Sequence, residues 1–225
     1  MLVSCSGLEQ DINKSIGNNV TRSLNGHVDF EYPSSFKHYE SHDHAIKSCA
    51  IPHELITKIS TAEIMELCAK YPMALDVFFY DSPLKGIDYV ISKFNGLVEL
   101  QNRKDNFITV FSYIKKLYST EIDYKTLTTL EVGNDILRKS YLELLLCNDK
   151  ILSNASAGDL SELSQFSREQ YLLKRKSSTY YGIEPLAITG LLYVKATGKD
   201  DLVKHYKTYT FEFINFLDEL ITKYN

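Results

Sequence analysis

Asp105-Asn106-Phe107-Ile108-Thr109-Val110-Phe111-Ser112-Tyr113-Ile114-Lys115-Lys116-Leu117-Tyr118 is the stretch on which the fold turns. Phe107, Val110, Phe111, Ile114, Leu117 and Tyr118 recur at intervals of three and four, which gathers them into one stripe along a helix of 3.6 residues per turn. Ser112, Lys115 and Lys116 fall on the other face. A half-buried strand would alternate strictly, and this stretch does not. Asp105 stands at the position of an N-cap, whose carboxylate would receive a backbone N–H.

The same signals repeat outward toward the N-terminus. Ser82-Pro83 is an N-cap followed by proline at the first helical position, with Leu84, Ile87, Val90, Ile91 and Phe94 on one face until Asn95-Gly96. Ser60-Thr61-Ala62-Glu63 has the form of a capping box and opens a helix that reaches Lys70, ahead of Pro72. Pro52 begins another, with Leu55, Ile56 and Ile59 at helical spacing.

Toward the C-terminus a longer helix is expected from about Thr126 to Asn148, with Leu130, Leu137, Tyr141, Leu144 and Leu145 inward. Gly133 within it costs about 1 kcal/mol relative to Ala and allows a kink or a close approach. Gly158 or Asp159 opens a helix through Lys176, followed by a loop from Ser177 to Gly182 and a short apolar helix from Pro185 to about Ala196. The last helices draw on Val203, Tyr206, Phe213, Ile214, Leu217, Leu220 and Ile221. Roughly eight or nine helices follow from this periodicity. The fold class is therefore all-α: a single helical domain over 51–225 of antiparallel hairpins, stacked as a bundle or as a short armadillo or HEAT-like superhelix.

Composition bounds what such a domain does. The chain has 225 residues, and 25 basic side chains face 29 acidic ones for a net charge of -4, which is not the footprint of a nucleic-acid binder. Lys174-Arg175-Lys176, with Arg168 upstream, reads as a solvated helix end whose cations oppose the macrodipole. No window approaches the roughly 18 apolar residues of a membrane span. Cys5, Cys49, Cys68 and Cys147 lack the spacing of a disulfide scaffold, and Cys68 and Cys147 lie in apolar helical stretches as small buried hydrophobes.

Before the body, residues 1–35 read as a flexible leader rich in Ser, Asn, Gly and Asp, and residues 36–50 as a polar lead-in. Leu2-Val3-Ser4-Cys5 has the residue types of a bacterial lipobox, which makes Cys5 a candidate for lipidation. A working export signal needs a charged and apolar segment upstream. If one precedes Met1, the chain belongs at the cell envelope, in the periplasm or as an outer-membrane lipoprotein with membrane contact only through its acyl chains. If not, it is cytoplasmic and Cys5 is a free thiol.

The run from Ile51-Pro52-His53-Glu54-Leu55 to Asp105 resembles an all-helical family of secreted and lipid-anchored Bacteroidetes proteins. The resemblance rests on Ser60-Thr61 with Leu67, Tyr71-Pro72 before Asp76, Gly86, and Phe94-Asn95-Gly96-Leu97-Val98-Glu99-Leu100 with Arg103-Lys104-Asp105. Tyr141-Leu142-Glu143-Leu144-Leu145 and Lys150-Ile151-Leu152-Ser153 extend it. It implies an armadillo-like helical domain and a normal place for a lipidated Cys5, and it brings no activity with it.

Candidate chemistry is sparse. His38, His42, Asp43 and His44 are the densest group of potential metal ligands, although HExxH and standard zinc spacings are absent. The GxSxG, GxxxxGK[ST] and GxGxxG motifs are missing, and carboxylates such as Glu212 and Asp218-Glu219 read as solvated helix faces. Asn95, Glu99 and Arg103 lie one turn apart and form either a polar ligand patch or an intrahelical ion pair. Phe78-Phe79-Tyr80 reads as core filling. Tyr180 and Tyr181 fall in a loop, where aromatic residues serve recognition. No cofactor is expected. The leading expectation is a non-catalytic helical module that presents a face to a protein or glycan partner; the alternative is a hydrolase-like or metal-dependent enzyme whose site assembles only in three dimensions.

Overall fold

A computed structural model describes residues 20–22, 28–120, 122–177, 180–203 and 210–223. Cys5 and Tyr206 lie outside the described residues. The protein is all-α. Its helices are α1 (His42–Ser48), α2 (His53–Ile56), α3 (Thr61–Ala69), α4 (Pro83–Lys93), α5 (Asn95–Asn102), α6 (Asn106–Ser119), α7 (Thr129–Leu146), α8 (Asp149–Leu152), α9 (Ala157–Lys176), α10 (Ile183–Ala196) and α11 (Phe211–Lys223), with 3-10 turns at Ala74–Phe79, Tyr124–Thr126 and Asp200–Leu202. Among the described residues the only strands are β1 (Val20–Arg22) and β2 (Val28–Phe30), an antiparallel pair that sets Val20 opposite Phe30.

Local chemistry explains where the helices start. Ser60 accepts the Glu63 N–H while the Glu63 carboxylate accepts the Ser60 N–H at 2.8 Å, so two orphan donors of α3 are satisfied reciprocally. Thr128 with Glu131 and Ser156 with Asp159 do the same for α7 and α9. Pro83 sits at the start of α4. Asp105 precedes α6 but does not cap it. Its backbone (φ -95°, ψ 15°) lacks the extended form of a capping residue, and its carboxylate instead accepts the Thr61 hydroxyl at 2.7 Å, joining α6 to α3.

The core forms around α7. Tyr141, Leu142, Leu144, Leu145 and Leu146 are wholly buried, and α7 touches α4, α6, α8, α10 and the turn at Ala74–Phe79. Helix-on-helix packing of this kind is that of an all-α bundle or superhelix. Gly86 permits its tightest crossing, because a Cβ there would lie 2.1 Å from the Val77 carbonyl oxygen. Gly133, by contrast, has nothing within 4 Å of an added Cβ, so it serves no close approach.

Helix α10 is apolar on all sides and is shared between two clusters. Ile188, Leu191, Leu192 and Ala196 join the main core. Leu186, Ala187, Tyr193 and Val194 join a smaller one with Tyr171 of α9 and Phe213, Ile214, Leu217, Leu220 and Ile221 of α11.

The N-terminal boundary falls earlier than the sequence suggested. Phe30 is buried, and the Tyr32 hydroxyl donates to the Leu67 carbonyl at 2.8 Å. Their rings meet edge-on, next to the stacked pair Tyr71 and Phe94, so apolar burial holds the end of the supposed 1–35 leader to the body. The lead-in at 36–50 contains α1, which Ser41 caps by accepting the His44 N–H and which buries Ala45 and Ile46.

Candidate functional site

The site begins on α9. Leu163, Ser167, Tyr171 and Lys174 follow one another at helical spacing and are its buried residues. Lys174 is therefore not solvated, as its run of cations suggested, but 2% exposed. Its ammonium donates to both Glu143 oxygens at 2.9 and 3.0 Å and to the Thr189 hydroxyl at 2.6 Å, with the Pro185 carbonyl at 3.5 Å. Glu143, fully buried on α7, also accepts the Tyr118 hydroxyl at 2.5 Å and the Thr189 hydroxyl at 2.7 Å. Both charges are thus completely hydrogen-bonded, which is the condition for holding an ion pair in a low-dielectric interior.

A second pair lies one turn earlier on α7. Lys139 donates to Asp135 at 2.7 Å, and the Tyr124 hydroxyl donates to the same carboxylate oxygen at 2.6 Å. The Tyr124 and Tyr181 hydroxyls are 3.1 Å apart. The Lys139 ammonium stands 5.2 Å from the Tyr118 ring centroid and 5.6 Å from that of Tyr124; the Lys174 ammonium stands 5.6 Å from Tyr118 and 5.7 Å from Tyr181. These are cation–π distances. The tyrosine rings thus form a cage that the protein's own two ammonium groups already fill.

Electrostatics follow from burial. Loss of water pushes the phenols of Tyr118, Tyr124 and Tyr181 above the usual tyrosine range, and the neighbouring carboxylates add to the effect. Burial likewise pulls Lys174 below the usual lysine value, against the opposing pull of Glu143.

Above this cage opens a cleft of about 720 Å³, within the size range of small-molecule sites. Its walls are Tyr118, Tyr124, Tyr180 and Tyr181, and Leu173, Gln170 and Lys125 also face it. Tyr180 remains 38% exposed and Leu173 56%. The loop that carries the last two tyrosines folds back onto the end of α9, where the N–H groups of Tyr180 and Tyr181 both reach the Ser177 carbonyl.

The ionic groups beneath the cleft are turned toward one another. Asp135 and Glu143 each already accept hydrogen bonds from an ammonium and a phenol, and Lys174 has four acceptors around it. A general acid or base must reach the substrate proton. Here Asp135 and Glu143 face Lys139 and Lys174.

Of the site residues expected from the sequence, Tyr180 and Tyr181 come together in this cleft. Asn95, Glu99 and Arg103 do not present a ligand patch. The Asn95 amide exchanges two hydrogen bonds with the Ile51 backbone, at 2.9 and 2.7 Å. Arg103 pairs with Glu99 at 2.6 Å and donates to the Ile56 carbonyl at 3.0 Å. Asn95 and Arg103 bind the 51–56 segment to α5, and Glu99 holds the Arg103 guanidinium. His38, His42, Asp43 and His44 are not gathered either: His42 meets Asp76 at 2.7 Å, while the His44 ring lies edge-on to Tyr39. Among the described residues no group of three or more His, Cys, Asp or Glu is placed to hold a metal ion. Phe79, expected in the core, is 83% exposed, and Asp218, expected on a solvated face, accepts from Tyr171 at 2.8 Å and pairs with Arg175.

Sequence reasoning missed Lys139, Lys174, Glu143 and Tyr124. For Lys174 the signal was available in its register with Leu163, Ser167 and Tyr171. Among the described residues no helix is long and apolar enough to cross a membrane. No protein-family model, curated protein or solved structure matches the chain.

Proposed function

We propose that this chain is a non-catalytic binding module whose recognition site is the tyrosine-walled cleft, and that it works at the bacterial cell envelope, tethered through Cys5. The observation that carries the reading is the coexistence of open aromatic and aliphatic surface with a saturated ionic floor. Leu173 and Tyr180 offer contact area to a partner, whereas both lysine–carboxylate pairs beneath are fully engaged with each other. Large exposed apolar side chains at a concave site favour partner binding. The tether rests on the lipobox alone.

Ligand-observed NMR against a mixed panel of peptides, sugars and small metabolites tests the cleft. Leu173→Arg projects a charged side chain into it from a solvent-exposed position. Any bound compound should lose its signal with that variant at unchanged melting temperature, and should be recovered chemically intact. Undiminished binding to Leu173→Arg, or conversion of the bound compound, refutes the reading. Cys5→Ser, expressed with the native upstream sequence, should release the protein from the membrane fraction.

A further inference from the structure

We infer that the cleft takes a short, uncharged sugar chain; this deepens the binding-module reading and rests on it.

The first argument is the shape of the aromatic surface. Tyr124 stands between Tyr180 and Tyr181, with ring centroids 5.4 and 6.1 Å away and ring planes tilted by 57° and 62°. The three rings therefore form corners and not a flat stack, and Tyr180 stays partly open to solvent. An aromatic face carries negative charge and attracts the weakly positive edges of C–H bonds. The axial C–H faces of a pyranose ring present such edges in a patch the size of one phenol.

Charge is the second argument. Among the described residues, Lys125, Lys139 and Lys174 at the cleft are matched in number by Asp123, Asp135 and Glu143, which gives an acidic or a basic ligand no net charge to follow. The deeper groups are also taken: Asp135 and Glu143 neutralise Lys139 and Lys174. What is left to a ligand is the lining made by Asp123, Lys125, Gln170 and Ser177. This set offers both hydrogen-bond donors and acceptors, and a hydroxyl answers either through a single atom.

Peptides fit less well. A peptide that binds by strand addition needs a strand edge to join, and the only strands among the described residues, β1 and β2, do not border the cleft. A proline-rich peptide docks on aromatic grooves but brings carbonyl acceptors almost exclusively, leaving Asp123 and the other acceptors unmatched.

The chain contains no tryptophan, so Tyr180→Trp installs a single fluorophore inside the site. Titrations of that variant with maltohexaose, cellohexaose, chitohexaose and a polyproline peptide distinguish the cases. The expected result is a saturable emission shift with at least one oligosaccharide and a much weaker one with its monosaccharide. Calorimetry on the otherwise native chain should then show about five- to tenfold weaker binding for Tyr180→Ala, with Tyr180→Phe close to the parent. A response to polyproline without one to any sugar overturns the ligand class and leaves the cleft as a binding site. Silence toward all four, or sugar binding indifferent to both Tyr180→Ala and Leu173→Arg, overturns the ligand class and the cleft together.

Discussion

Lys174→Met isolates what the deepest ion pair contributes. Methionine matches the length of the lysine stem, so the change removes the ammonium and leaves little cavity. Glu143 then remains at 0% exposure with Tyr118 and Thr189 as its only donors. Breaking a buried pair by removing one partner costs about 3–5 kcal/mol, because the remaining charge is uncompensated. At about 2–4 °C per kcal/mol for a chain of this size, melting should fall by roughly 6–20 °C. Glu143→Gln should cost a similar amount from the other side. The double variant Lys174→Met with Glu143→Leu removes both charges, leaves only two neutral hydroxyls to find new partners, and should be more stable than either single variant by about 1–3 kcal/mol. Urea denaturation followed by circular dichroism measures the parent, these three variants and Glu143→Leu alone, which closes the cycle. Single-variant losses under about 1 kcal/mol, the value of an exposed pair, would show that water reaches Glu143 and that the interior account is wrong. Strict additivity in the double variant would refute the coupling.

Three further outcomes follow from the same packing. Tyr71, Tyr141 and Tyr171 have phenols raised by burial above their ordinary value near 10, so the folded state keeps protons that the unfolded chain releases. Stability should hold below about pH 10 and decline above it by about 1.4 kcal/mol per pH unit for each such tyrosine, with tyrosinate absorbance rising together with loss of helix; ionisation of all sixteen tyrosines ahead of any unfolding would contradict it. Gly86→Ala drives a Cβ into the Val77 backbone and should cost about 1–3 kcal/mol, whereas Gly133→Ala meets nothing and should add about 0.5–1 kcal/mol, both read from chemical denaturation. Cys49, Cys68 and Cys147 are buried, and burial pushes the Cys49 thiol up to about 11 and the other two further. Native protein should therefore show no more than one thiol reactive toward a disulfide reagent, and denatured protein should release the rest.

Helices were legible where the sequence writes a capping box or a long apolar stripe. Ser60 with Glu63 announced α3, and Phe107 to Ile114 announced α6. α1 was hidden because seven residues containing two histidines, an aspartate and a lysine carry too short an apolar pattern to stand out, and its stability comes from Ala45 and Ile46 meeting the body. Only the smaller part of the candidate site was legible, for a similar reason. Tyr180 and Tyr181 stood out as aromatics in a loop. Glu143 and Lys174 did not, since a charge is read as solvated until its partner is known, and that partner lies 31 residues away in the chain. Tyr124 was equally silent, because only the fold brings its hydroxyl to Asp135 and Tyr181.

The lysine-filled tyrosine cage has a consequence for affinity. Binding sites usually give up part of their contact energy to immobilise their own side chains. Here Tyr118, Tyr124 and Tyr181 are already fixed when the protein folds, by hydrogen bonds to Glu143, to Asp135 and to the Tyr124 hydroxyl respectively and by the ammonium groups over their faces. A ligand entering the cleft therefore meets three walls with little freedom left to lose, and the ordering cost of binding is confined to the exposed side chains of Tyr180 and Leu173.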